Sequence, residues 1–201
     1  MTGLSPIGFV LAGGASRRMG RDKALLPVAG VPMARRVADA LGEAGCSPVL
    51  AVGGDAGALA AFGLPVVADG WPGEGPLGAL ATVADTMAAR GWAHRDAVVV
   101  ACDLPWLDAA TVWRLIDATA GETAGAQVGA QVVCARTDRI EPLCARWSPP
   151  ALAAARALFL AGERSVAAAL AQLPVLPIDV DAAALRNANS PSDLPGGSLP
   201  A

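Results

Sequence analysis

Four cations fall between positions 17 and 23: Arg17, Arg18, Arg21 and Lys23. They follow a glycine pair, Gly13 and Gly14, which itself follows the apolar run Phe9-Val10-Leu11. Paired glycines after a strand let a backbone come close to a ligand and aim amides at it. Amide donors and cations in one loop are what a polyphosphate requires, although a solvated basic turn would have the same composition. Two other places carry polar chemistry. Asp103 stands just past the apolar run Ala97-Val98-Val99-Val100-Ala101, and the chain's two asparagines, Asn187 and Asn189, lie one residue apart near its end.

Composition singles out Lys23. The chain holds 15 basic residues, and every one except Lys23 is arginine. Lysine is a compact point charge with rotatable donors, whereas arginine is a planar fork. A site that must follow a phosphate from ground state to transition state has reason to keep the former. The loop is not a P-loop, because Lys23 follows Asp22 and precedes Ala24. A literal G-x-G-x-x-G does occur, from Gly73 to Gly78. It lies after the third expected strand, whereas the dinucleotide fingerprint belongs to the first strand–helix turn, so a dehydrogenase is disfavoured.

The elements that must position these groups alternate. Strands are expected to end at Leu11 and to cover 49–52, 65–68 and 97–101, the last a continuous β-branched run suited to a central parallel strand. Helices are expected over 33–44, with Pro32 in the first turn, over 56–62, from Pro76 to 89 or 90, and over 109–118 with Asp108 as cap. Pro27 and Gly30 mark a turn. Beyond a loop at 121–127, strands are expected over 128–135 and, antiparallel, over 141–147. Helices follow at 149–160 and 166–173, then an edge strand at 175–180. This gives an α/β chain in which Asp103 ends a central strand, where open α/β sheets bind ligands. Metal binding is favoured for Asp103 over a merely capping role, since Asp108 is the better cap.

The 201 residues suit one domain, expected over 1–195 with a loose tail at 196–201. A net charge of −3 with no basic face argues against nucleic acid. Cys46, Cys102, Cys134 and Cys144 are scattered, which fits reduced core thiols in a cytoplasmic protein. His94, the only histidine, sits among polar neighbours, so neither a zinc site nor a histidine triad is expected. No targeting signal and no membrane-length apolar run is apparent.

The segment 11–23, L-A-G-G-A-S-R-R-M-G-R-D-K, resembles the nucleotide loop of the molybdenum cofactor guanylyltransferase family, L-A-G-G-x-S-x-R-M-G-x-D-K. Asp69 with Gly75-Pro76-Leu77, Cys102-Asp103-Leu104-Pro105 and Asn187-Ala188-Asn189-Ser190-Pro191 resemble that family's D…G-P-L, C-D-x-P and N-x-N-[TS]-P. The resemblance implies a single-domain, Rossmann-like, three-layer α/β/α fold with a mostly parallel sheet. It implies transfer of GMP from GTP to Mo-molybdopterin with release of pyrophosphate.

For the residues, the resemblance implies that Leu11, Ala12, Gly13, Gly14, Gly53 and Asp69 contact the nucleotide. Arg18 and Lys23 would draw charge off the phosphates. Asp103 would hold Mg²⁺, with Asn189 and Asn187 in the metal shell or at the acceptor. Implied partners are GTP, a molybdopterin-type phosphate acceptor and molybdoenzyme maturation proteins, for a monomer or weak homo-oligomer. Val52-Gly53-Gly54 departs from the family, which often has an asparagine there, and Gly78-Ala79 stands where Ala-Gly is expected. Rival readings are a cytidylyltransferase on molybdopterin, a sugar-phosphate nucleotidyltransferase, or a non-catalytic nucleotide-binding module. Gly13 speaks for GTP, because relatives using CTP tend to read L-A-A-G.

Overall fold

Strand β1 (Ile7–Leu11) is wholly buried and bonded on both sides to parallel neighbours, β4 (Val49–Val52) and β6 (Ala97–Ala101). A strand covered on both faces needs apolar residues at successive positions, and Ile7, Phe9, Val10 and Leu11 supply them. The computed structural model describes residues 4–13, 22–118 and 130–188. Within them, a 3₁₀ turn (Lys23–Leu25) and a two-residue hairpin, β2 (Pro27–Val28) with β3 (Val31–Pro32), lead into α1 (Met33–Glu43). After β4 come α2 (Ala56–Ala61), β5 (Val66–Val67) and α3 (Gly75–Ala89). After β6 come α4 (Ala109–Asp117), β7 (Val132–Arg136), β8 (Ile140–Trp147), α5 (Pro149–Leu160), α6 (Val166–Leu170) and β9 (Val175–Asp179).

The main sheet has the order β5-β4-β1-β6-β8-β7-β9. Only β8 runs against its neighbours, pairing antiparallel with both β6 and β7. Side chains alternate between two cores. Val10, Val98 and Val100 point to one that includes Val37 and Leu41 of α1, Leu59 of α2 and Leu115 of α4. Phe9, Leu11 and Val99 point to the other, with Leu77 and Leu80 of α3, Leu152 and Phe159 of α5 and Val166 of α6. The three-layer α/β/α expectation is met. Among the described residues no helix is long and apolar enough to cross a membrane.

Helix starts follow local chemistry. The carboxylates of Asp55 and Asp108 accept from Ala58 N and Thr111 N, and the hydroxyls of Ser148 and Ser165 cap the two helices that follow them. Several boundaries differ from expectation. Pro32 belongs to β3 and precedes α1, since the turn at Pro27 and Gly30 is a real hairpin whose Met33 N–H donates to Leu26 O. The helix expected over 166–173 stops at Leu170, and β7 begins at Val132. Residue 128 and the expected loop at 121–127 lie outside the described residues, as do the expected domain boundary at 195 and the tail. The edge position of β9 is as expected.

Candidate functional site

The strand order sets the site. From β1 the chain moves outward through β4 to β5, then crosses back to place β6 on the other flank of β1. The loops leaving the neighbouring strands β1 and β6 lie at the carboxyl ends of these strands, where open α/β sheets bind ligands. The helices they lead into, α1 and α4, pack on one face of the sheet. Lys23 lies in the segment after β1, and Asp103 lies two residues past β6. They meet there: Lys23 Nζ donates to Asp103 Oδ2 at 2.9 Å. The lysine side chain is 14% exposed and the aspartate 26%, so the pair is partly shielded but open to an incoming ligand.

Asp22 holds Lys23 in place. Its Oδ1 accepts from Ala24 N and its Oδ2 from Asp55 N, which ties the segment after β1 to the start of α2. The sequence reading gave Asp22 no role. Its position just before a short helical turn is the usual place for a capping carboxylate, and that was the available signal.

On the other flank, Gly13, Gly53 and Asp69 form a tight group. Gly53 has φ +70°, and a Cβ there would lie 2.9 Å from Gly13 Cα, so the close crossing of the two loops requires glycine. Asp69 Oδ1 accepts from Trp71 N and Thr82 Oγ1, while Oδ2 faces Gly13. Thr82, which the sequence reading passed over, thus locks the Asp69 rotamer from α3.

One expectation is corrected here. The amides of Ala12 and Gly13 were expected to point at base or phosphates, but both donate to Val52 O. Gly53 N likewise donates to Val67 O, and Leu11 O accepts from Cys102 N. These groups are satisfied by the sheet edge, so what they offer a ligand is close backbone approach rather than free donors.

Asn187 reaches the same place from the far end of the chain. Its neighbour Ala188 donates its N–H to Asp103 O at 2.9 Å. A cavity of about 470 Å³ opens beside the pair, lined by Asp103, Asn187, Pro76, Leu143, Arg164 and Ser165 among others. Gly14, Arg18 and Asn189 lie outside the described residues. Cys102 adjoins Asp103 but is no nucleophile. Burial, together with the neighbouring carboxylate, pushes its thiol up to about 12 and keeps it neutral. His94 is exposed in the turn before β6, at the opposite end of that strand from Asp103.

Among the described residues no group of three or more His, Cys, Asp or Glu side chains gathers as metal ligands. Asp103 nevertheless suits a hard divalent cation. It offers carboxylate oxygens in an open cleft and already faces one cation, the Lys23 ammonium. Mg²⁺ is commonly held by one or two carboxylates, with substrate phosphates and water completing the shell.

The chain is similar to known proteins along most of its length. A model of the MobA-like NTP transferase domain matches residues 8–175. A molybdenum cofactor guanylyltransferase from Rhodobacter capsulatus is 36% identical over 188 residues, covering 93% of this chain and 92% of that one. A probable molybdenum cofactor guanylyltransferase from Opitutus terrae is 37% identical over 159 residues, covering 79% and 74%. In fold, the chain resembles the crystal structure of molybdopterin-guanine dinucleotide biosynthesis protein A from Archaeoglobus fulgidus, with a TM-score of 0.67 and 23% identity over 92% of this chain and 93% of that one. With a lysine and an aspartate converging at the switch point of a mostly parallel sheet, and with relatives alike along most of their length, the chain belongs to the MobA-like NTP transferase family.

Proposed function

We propose that this chain transfers the GMP moiety of GTP to the terminal phosphate of a molybdopterin-type acceptor, with Mg²⁺ and with release of pyrophosphate. The observation that carries the reading is the meeting of Lys23 and Asp103, 80 residues apart in sequence, in one cleft. The curated relatives bear the name of this activity. Gly13, where CTP-using relatives tend to carry alanine, supports guanine as the base.

An oxygen of the acceptor phosphate attacks the α-phosphorus of GTP. The bond from that phosphorus to the oxygen bridging to the β-phosphate breaks, and its electrons leave with pyrophosphate. A phosphate monoester has its second pKa near ~6, so the nucleophile is already ionised at neutral pH. No histidine base is needed, and the only histidine, His94, is far down the fold from the pair. The protein's task is positioning and charge neutralisation.

Lys23 leaves Asp103 for the triphosphate, whose greater negative charge competes for the ammonium. Asp103, released, is the carboxylate that would hold the metal, with Asn187 and Asn189 completing its shell or gripping the acceptor. Mg²⁺ bound there would neutralise charge on the phosphates and the departing pyrophosphate. Arg18 adds a second cation to the phosphates. Gly13 and Gly53 let the nucleotide approach the backbone, and Asp69 Oδ2 faces the base or ribose. The acceptor takes the cavity beside Asp103 and Asn187. The same reading puts the enzyme in the cytoplasm, where four buried free thiols stay reduced.

The test is direct. The purified chain is incubated with Mg²⁺, molybdopterin and each of four nucleoside triphosphates, and pyrophosphate release is followed. Release with GTP alone is the expected result. Release with CTP but not GTP would transfer the reading to a cytidylyltransferase, and none with any triphosphate would end it.

A further inference from the structure

Lys23, Asp103 and Asn187 come from three segments that no single element unites. They follow β1, β6 and β9 in turn. Something must hold these segments in mutual register. One sheet-face core takes part, through Ala24, Leu104 and Leu185. A third, separate apolar cluster also draws on all three segments. It consists of Leu26, Val28, Met33 and Ala188, with Trp106 packed against it.

Three of these residues are close in sequence to a site residue. Leu26 follows Lys23 by three residues, and its N–H donates to Lys23 O. Trp106 follows Asp103 by three. Ala188 follows Asn187 directly and donates its N–H to Asp103 O. The indole is clamped from outside by the Arg186 guanidinium, 3.9 Å from the ring centre. Arg36 of α1 fixes the same loop from below, donating from Nε to Pro105 O at 2.8 Å.

We propose that Trp106, with Arg186 stacked on it, is a positioning residue that sets the asparagine segment against Asp103 and Lys23. The inference rests on the reaction proposed above. The indole stands in the loop after Asp103, packs against the cluster formed by Leu26, Val28, Met33 and Ala188, and carries Arg186 on its ring. Arg186 holds it by a cation–π contact that needs a cation over a ring face. The nucleotide side is braced separately, by Val52 O beneath Gly13 and by Thr82 on Asp69. Loosening the hub therefore disturbs the acceptor and the reacting geometry while leaving nucleotide binding in place.

The experiment compares Trp106→Ala, Trp106→Phe, Arg186→Ala and Arg186→Lys with the wild type. Dissociation constants for GTP are measured without acceptor, and kcat and KM for the acceptor separately. For Trp106→Ala, kcat/KM falls about 100-fold, the effect of a displacement of about 1 Å at a reacting centre. The GTP constant stays within about twofold. Arg186→Ala raises the acceptor KM by about threefold to fivefold, a cation–π contact at an exposed edge. Arg186→Lys and Trp106→Phe recover most of the loss, since each keeps a cation or a ring.

A second readout needs no acceptor. Trypsin cleavage after Arg186 is slow in the wild type and in Trp106→Phe, and fast in Trp106→Ala. Equal cleavage rates, with kcat and acceptor KM unchanged across the series, would overturn the hub. So would a GTP constant that rises in step with the acceptor KM. A wild type that cleaves no GTP overturns the proposed reaction alone, because the trypsin series still reads the hub.

Discussion

Lys23 Nζ and Asp103 Oδ2 lie 2.9 Å apart, so without a nucleotide the ammonium occupies the carboxylate's cation position. The two cannot both serve phosphates and metal until that contact opens. On the proposed reading a divalent ion alone competes with Lys23 for the carboxylate, whereas an ion arriving with a triphosphate finds the ammonium drawn away. Mn²⁺ titration followed by electron paramagnetic resonance is expected to show weak binding to the wild type, and at least ~10-fold tighter binding once a non-hydrolysable GTP analogue is present. Lys23→Gln removes the competitor and strengthens Mn²⁺ binding without nucleotide. Equal Mn²⁺ affinity in the two proteins would show that the pair does not guard the position.

Turnover separates the roles of the two residues. Asp103→Asn is close in volume but lacks the charge, and is expected to lose turnover by ~100-fold or more while GTP binding measured without metal persists. Lys23→Arg keeps the charge and changes its shape. Its turnover is expected to fall by ~10-fold or more, because a planar fork cannot follow the phosphate as an ammonium does. Wild-type turnover in either variant contradicts the role assigned to it.

Among the described glycines near the site, Gly53 has the tightest backbone surroundings. Its φ is +70°, and a Cβ would meet Gly13 Cα at 2.9 Å. Gly53→Ala combines strain with a backbone clash and is expected to cost about 1–3 kcal/mol of stability. Because the displaced partner is Gly13, GTP affinity falls with it. Urea denaturation and nucleotide titration of one variant check both; a stable variant with normal affinity would mean that the crossing is looser than it stands here.

Asp69 and Thr82 act together. Asp69 Oδ1 accepts from both Trp71 N and Thr82 Oγ1. Thr82→Val removes one of these donors in a buried position and is expected to cost about 1–2 kcal/mol. If Asp69 Oδ2 contacts the nucleotide, the freed carboxylate rotates and GTP affinity drops by a factor of a few. Calorimetric titration of Thr82→Val against Thr82→Ser, which keeps the hydroxyl, separates packing from hydrogen bonding.

The buried thiols make stability depend on alkaline pH. Burial pushes Cys46, Cys134 and Cys144 up to about 12. In an unfolded chain a thiol titrates near ~8.5. Between those values the unfolded chain binds fewer protons than the folded one, so the folded state loses ground as pH rises. Stability contributed by these thiols is fully present below ~8.5 and declines toward 12, by roughly 1.4 kcal/mol per pH unit for each thiol. Urea unfolding in reductant at pH 7.5 and pH 10 checks the sign; greater stability at pH 10 would contradict it.

Much of this was legible in the order of residues. Val49–Val52, Ala97–Ala101 and Pro149–Leu160 stand within the bounds that apolar runs and a proline start suggested, and Asp108 caps α4 as its type and place implied. These are local properties, decided by side chains within a few positions of one another. The hairpin at Pro27–Val28 and Val31–Pro32 was not legible, since two-residue strands leave no periodicity and are held by the packing of Leu26, Val28 and Met33. The end of α6 at Leu170 was missed for a related reason: apolar residues continue past it, and only the turn toward β9 stops the helix.

By itself the sequence determined which chemical groups the protein has and which strand or loop carries each one. It set a single lysine after a glycine loop, a carboxylate after a buried strand and an asparagine pair near the end. Tertiary structure decided which of them touch. Lys23 meets Asp103 because β6 lies beside β1, and the amides of Ala12 and Gly13 turn to Val52 O because β4 lies on the other side. The two pairings that build this site, β1 with β4 and β1 with β6, join residues as far apart as Gly8 and Val49 or Ile7 and Ala97, and no local propensity encodes such distances.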